Sequence, residues 1–206
     1  MASSSLLDAA LVASGGVLGI FSYSFASAWL RRGAPFVFTA SQKIDAIFHR
    51  EDGLIAQHIP IEKRRHAIDL GSGAGALVRA AIKQGQFKTA TGIEINPVLI
   101  ALAQLRAGPG EEHRLDSLWS ADLQNADLVL VYGVPSMLGQ LSDKLRAEMK
   151  HGSHIISNQF PMAADDNGLR KVEERWVNVP RDWLSSEIDD SGPLFLYCVH
   201  REEKRE

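Results

Sequence analysis

The sequence predicts an α/β fold: a doubly wound, mostly parallel sheet with an antiparallel C-terminal hairpin, preceded by an apolar N-terminal helix. Three observations predict it. Between His66 and Phe160, short apolar runs of strand length alternate with runs of helical period. The first of these strands leads directly into glycines at 71, 73 and 75 and then into a helix. Beyond residue 171 the apolar helices stop and two β-rich runs follow, 172–179 and 194–200, as a terminal antiparallel pair would read.

Residues 9–30 carry no charge, lie between Asp8 and the pair Arg31-Arg32, and end in Trp29-Leu30. As a helix they would extend roughly 33 Å, enough for a hydrocarbon core, with Trp29 as an interface anchor. Three readings compete: a membrane anchor, a cleaved targeting peptide, and an apolar helix packed on the following domain. The anchor is preferred, because Gly15 and Gly16 weaken a helix in water and no basic stretch precedes the segment. The expected division is therefore 1–32 as anchor or targeting helix and 33–206 as the catalytic domain. On the anchor reading the domain is membrane-bound, with the lipid bilayer as one partner.

The remaining elements follow in order. Thr39 or Ser41 caps a helix near 42–49 with Ile44, Ile47 and Phe48 on one face. A short helical stretch covers 53–59, and Lys63-Arg64-Arg65 precede the strand His66–Leu70. A helix over 75–84 ends at Gly85. The second strand is 89–94. Asn96 caps, and Pro97 opens, a helix to about Ala107. The third strand ends at Leu115. Asp127–Tyr132 is a fourth, apolar on both sides as a buried parallel strand is. Ser136 caps a helix over 137–150 that buries Leu138, Leu141, Leu145 and Met149. The fifth strand covers 154–160.

Composition sets limits on function. The 206 residues carry 22 Lys+Arg against 25 Asp+Glu, a net charge of -3, which argues against a broad nucleic-acid surface. One cysteine, Cys198, leaves no internal disulfide and no Cys-built metal site. The seven histidines form no metal-ligand pattern, so no metal is expected.

The string Ala67-Ile-Asp-Leu-Gly-Ser-Gly-Ala-Gly75 carries the chemistry. Its GxGxG differs from the dinucleotide GxGxxG, and no Gly-Lys-Ser/Thr of a phosphate loop follows. Asp69 at the strand end is poorly matched to a pyrophosphate and well matched to a cationic amino group. Glu94 ends the next strand, where a carboxylate suits two ribose hydroxyls. Asp116, followed by Leu118 and Trp119, offers a carboxylate and apolar surface to an adenine. An amino acid, a ribose and an adenine without phosphate describe S-adenosylmethionine.

The strings AIDLGSGAG, GIEINP, DSLWSADL, VYGVPSM and NQFPM together resemble class I S-adenosylmethionine-dependent methyltransferases. More closely, the chain resembles the membrane-associated mitochondrial protein lysine N-methyltransferases of the ATP synthase c-subunit and adenine nucleotide translocase type. The resemblance implies a seven-stranded sheet, with Asp69, Gly71, Gly73, Gly75, Glu94, Asp116, Leu118 and Trp119 as cofactor residues. It implies that Pro35, Phe36 and Val37 belong to a connector that matters for activity; Phe38 stands where the family usually has a second proline. It also implies a membrane protein presenting a lysine as partner, and a location at the mitochondrial inner membrane, matrix side (a bacterial cell membrane if prokaryotic).

Ligands of open α/β sheets gather at the C-terminal strand ends. The candidate catalytic residues there are Tyr132, Pro135 and Asn158. Tyr132 would orient the amine or stack in the core, and Asn158 or Gln159 would bind the amine or satisfy a loop. Gly133, Val134, Phe160 and Pro161 would line the substrate channel. A string Tyr132-Gly-Val-Pro135 in place of Asn/Asp-Pro-Pro-aromatic disfavours a nucleobase substrate. Two other readings stay open: methylation of a lipid or quinone, and a catalytically silent binding protein.

Overall fold

The computed structural model describes residues 39–163, 168–180 and 190–200. Seven strands form one sheet: β1 (His66–Leu70), β2 (Thr89–Glu94), β3 (Glu111–Leu115), β4 (Leu128–Val131), β5 (His154–Asn158), β6 (Leu169–Val177) and β7 (Gly192–Val199). Their order is β3-β2-β1-β4-β5-β7-β6. The first five are mutually parallel; β7 runs antiparallel to β5, and β6 antiparallel to β7. The expected fold class is thus observed, with its direction reversing between β1 and β4.

Alternation along the strands builds two cores. Leu128 and Leu130 of β4, Ile156 of β5 and Leu194 and Leu196 of β7 face one side. The helices α1 (Ser41–Phe48), α2 (Leu54–His58) and α3 (Ala76–Lys83) cover it through Ile47, Phe48, Leu54, Ile55, Val78 and Ala81. Val129, Val131, Ile155, Phe195 and Tyr197 face the other, under α5 (Pro135–Glu148), which contributes Leu138, Leu141 and Leu145. Two covered faces explain why the fourth strand has no polar alternation. The edge strand β3 keeps only His113 buried, and its Glu111, Glu112 and Arg114 charges discourage further pairing.

Several local expectations shift. Neither Thr39 nor Ser41 caps α1: the N-cap is Ala40, whose amide donates instead to Asp190 Oδ2 at 2.9 Å. Pro135 starts α5 with Val134 at the N-cap, so Ser136 is inside the helix and caps nothing. The helix α3 does end before Gly85, but the left-handed residue after it is Gln86, at φ 58°. Gly85 serves packing, since a Cβ there would meet the Phe48 ring at 2.7 Å. The fifth strand stops at Asn158 because Gln159 turns the backbone at φ 70°. Asn96 caps α4 (Pro97–Leu105) as expected, its Oδ1 accepting from Val98 and Leu99 amides.

The segment 9–30 and the boundary expected at 32/33 lie outside the described residues. Among the described residues, no helix is long and apolar enough to cross a membrane. The longest, α5, has 14 residues, about 21 Å against a core of about 30 Å. The transmembrane helix, the bilayer partner and the membrane location expected from the sequence are corrected on this finding.

Candidate active site

The glycine turn joins β1 to α3 across the end of β2. The amides of Gly71 and Ser72 donate to the Ile93 carbonyl at 2.8 and 3.0 Å. The Gly73 amide donates to Glu94 Oε2 at 3.0 Å, and Ile95 and Asn96 amides donate to Glu94 Oε1, each at 2.8 Å. One carboxylate therefore fixes the turn and the start of the next loop together. Gly71, Gly73 and Gly75 have φ values of 90°, 52° and 80°, a region that L side chains avoid. A Cβ on Gly75 would also lie 2.5 Å from the His113 ring.

Asp69 and Glu94 lie on the same face of the sheet as Ala67 and Ala90, beneath α1–α3. Asp69 is 4% exposed. Burial, and then the charge of Glu94, push its carboxyl up to about 8. Beside it, the position a Gly71 Cβ would take has nothing within 4 Å, so a ligand can approach the backbone there. Two acidic groups near an open turn repel a pyrophosphate and attract an amino group. The residues fit the amino-acid and ribose parts of S-adenosylmethionine; beyond its three amide contacts Glu94 keeps about one lone-pair site, on Oε2, for a ribose hydroxyl.

Asp116 is placed differently. Its amide continues the ladder to the Glu94 carbonyl at 3.1 Å. Its exposed carboxylate accepts from the Ser117 amide at 2.7 Å and Ser120 Oγ at 2.6 Å, and these bonds hold it below the usual carboxylate range. It lines a groove of about 210 Å³ with His66, Thr91 and Arg114. Leu118 packs on the core, and Trp119 is 39% exposed.

Val131 registers with Leu70 on one side and Ser157 on the other. The next residues, Gly71, Tyr132 and Asn158, therefore form one row at the C-terminal edge. Two residues that the sequence reading passed over join them. The fully buried Lys43 of α1 donates from Nζ to Asn158 Oδ1 at 2.5 Å and to Asp190 Oδ1 at 3.1 Å, with the Tyr132 ring centroid 5.8 Å away. Tyr132 donates its hydroxyl to Asp190 Oδ1 at 3.3 Å. Burial and then the Asp190 charge raise the Tyr132 phenol to about 12. A signal for Lys43 did exist: it stands four residues before Ile47, on the apolar face of its helix.

The other expected residues do not enter this cluster. Gly133 is buried and Val134 half-buried; Pro135 is exposed at the start of α5. Phe160 and Pro161 are exposed after the turn at Gln159. Pro35, Phe36 and Val37 lie outside the described residues.

This strand order, with acidic residues ending β1 and β2 around a glycine turn, defines a class I S-adenosylmethionine-dependent methyltransferase. The ANTKMT methyltransferase domain family matches residues 69–166. The adenine nucleotide translocase lysine N-methyltransferase of Mus musculus is 32% identical over 82% of this chain and 69% of its own length. The ATP synthase c-subunit lysine N-methyltransferase of the same organism is 31% identical over 62% of this chain, but the match spans only 49% of that protein. An RNA methyltransferase from Salinibacter ruber, solved with S-adenosyl-L-homocysteine, has a TM-score of 0.58 at 26% identity, covering 82% of this chain and 97% of that one. The chain belongs to the ANTKMT methyltransferase family. It is an S-adenosylmethionine-dependent protein-lysine N-methyltransferase.

Proposed function

We propose that the substrate is a lysine ε-amine of a protein of the adenine nucleotide translocase or ATP synthase c-subunit kind. The proteins named for those two substrates are similar to this chain over most of the catalytic fold. We assign Asp69 to the cofactor's amino group and Glu94 to its ribose. The Gly71–Gly75 turn holds its amino-acid end; Asp116, Leu118 and Trp119 meet its adenine. When bound, S-adenosylmethionine supplies the sulfonium methyl group. Tyr132 and Asn158 orient the acceptor amine, Pro135 shapes the entry, and Gly133, Val134, Phe160 and Pro161 line the approach.

One observation carries this division of roles. The register puts the cofactor turn and the Tyr132–Asn158 row on adjacent strand ends, within one edge of the sheet. A lysine ammonium has no lone pair, and its ordinary pKa is about 10.4. Burial beside Tyr132 and Asn158 lowers that value and excludes water, as transfer to nitrogen requires. Incubating mitochondrial membranes with the protein and methyl-labelled cofactor tests the proposal. A labelled lysine on the translocase or the c-subunit, lost with Asp69→Ala, is expected. Label confined to lipid, quinone or other proteins would overturn it.

A further inference from the structure

We propose that Lys43 occupies, from within the chain, the position that the substrate lysine takes during methyl transfer, and that Asp190, Asn158 and Tyr132 form its walls. The inference rests on the acceptor site lying at the β4–β5 edge. The cluster is chemically an ammonium cage: a carboxylate oxygen, an amide oxygen and an aromatic ring surround one fully buried Nζ. Asp190 is itself fixed, with Oδ2 accepting from the Ala40 amide at 2.9 Å and Oδ1 from the Tyr132 hydroxyl at 3.3 Å. Gln159 braces the same segment through the carbonyls of Asp190 and Ser191.

Stability alone does not call for an ion pair here. A well-packed apolar side chain in place of a buried ion pair is commonly as stable or more so. What the lysine adds is a cation in a cage whose Tyr132 wall stands next to Gly71 in the row of strand ends. Displacement by a substrate lysine exchanges one ammonium for another, so Asp190 is never left buried and unpaired. Lys43 thus keeps small cations and water out until a partner with binding energy elsewhere replaces it. The incoming ammonium then loses one proton to solvent. The amine's lone pair forms the new N–C bond as the methyl–sulfur bond breaks, and its electrons stay on sulfur.

The test uses the full chain with Lys43→Ala and n-butylammonium as the probe. Without cofactor, the probe should raise the Tm of Lys43→Ala saturably, and leave the wild type and Lys43→Ala/Asp190→Asn unmoved. With S-adenosylmethionine, Lys43→Ala should convert the probe to N-methylbutylamine, and the wild type should do so at least about a hundredfold more slowly. A Tm gain without methylation would make the cage purely structural and overturn the proposal, as would no Tm gain at all. Should Lys43→Ala fail to fold, Lys43→Met replaces it: KM for the protein substrate should fall by about tenfold, and an unchanged or higher KM overturns the inference. Probe methylation without labelling of any membrane protein would sink the substrate assignment alone.

Discussion

At the β1–β2 edge, one carboxylate is held by backbone: Glu94 accepts from Gly73, 21 residues away, and from the two residues that follow it. At the β4–β5 edge, one ammonium is held by side chains: Lys43 reaches Asn158 and Asp190, 115 and 147 residues away. The first arrangement is a feature of a local turn, and any chain with that turn reproduces it. The second depends on α1 docking against the far end of the sheet and on the loop before β7 returning to it. The turn beside β2 is therefore held through backbone amides. The β4–β5 edge carries its order in a few charged side-chain contacts, which suits the proposed admission of a protein side chain there.

The largest effects should arise at the acceptor end. Lys43→Met leaves Asp190 buried without its cation and should destabilise the chain by about 3–5 kcal/mol. Lys43→Met/Asp190→Asn should recover most of that loss, and denaturant titration of the three proteins measures it. A loss in the double variant as large as in the single would mean that packing, and not charge, holds α1. At the cofactor end, Glu94→Ala removes the acceptor of three amides at once. It should weaken S-adenosylmethionine binding about 10–100-fold and also destabilise the fold by about 1–3 kcal/mol. The three amide hydrogen bonds tie the two effects together. Isothermal calorimetry and thermal unfolding of one preparation separate them.

Asp69 gives an effect that depends on pH, with a definite sign. Its folded pKa is raised from 3.8 to about 8, so between those values the folded chain holds a proton that the unfolded chain has lost. Its contribution to the stability of the cofactor-free protein is full below about pH 4 and is lost as pH rises through about 8. The slope is at most about 1.4 kcal/mol per pH unit. A cationic amino group bound beside Asp69 favours the carboxylate, so cofactor binding at pH 7 should release about one proton. Calorimetry in two buffers of different ionisation enthalpy detects that proton, and Asp69→Asn should abolish it. No release in the wild type would place the amino group elsewhere.

The same contrast explains what could be read from the sequence. The sheet, its winding and the Asp69–Glu94 pair were legible because they are written in successive strand–turn–helix units along the chain. The cap at Asn96 was legible for the same reason. Lys43 and Asp190 were not, because Lys43 meets Asn158 and Asp190 only through tertiary contacts, 115 and 147 residues apart in the chain, and a charged side chain ordinarily points to water. The caps expected at Thr39 or Ser41 and at Ser136 are not made: the Asp190 carboxylate takes the Ala40 amide, and Pro135, which has no amide to satisfy, opens α5.

The smallest effect tests whether Asp116 belongs with Glu94 or with the surface. Its carboxylate is exposed and already bonded to Ser117 and Ser120, so it closes a turn whatever else it does. Those bonds lower its pKa, so their contribution persists at neutral pH and fades only as pH falls through the folded value. Asp116→Ala should leave the Tm nearly unchanged, because water replaces what the serines lose. Its effect on cofactor affinity should stay below about tenfold, as one solvent-exposed hydrogen bond to an adenine amino group would give. Binding of adenosine and of S-adenosylmethionine should weaken equally, since the adenine is common to both. A loss larger than that of Glu94→Ala would reverse the order of the two carboxylates and move the centre of cofactor recognition from the backbone-held turn to the exposed loop after β3.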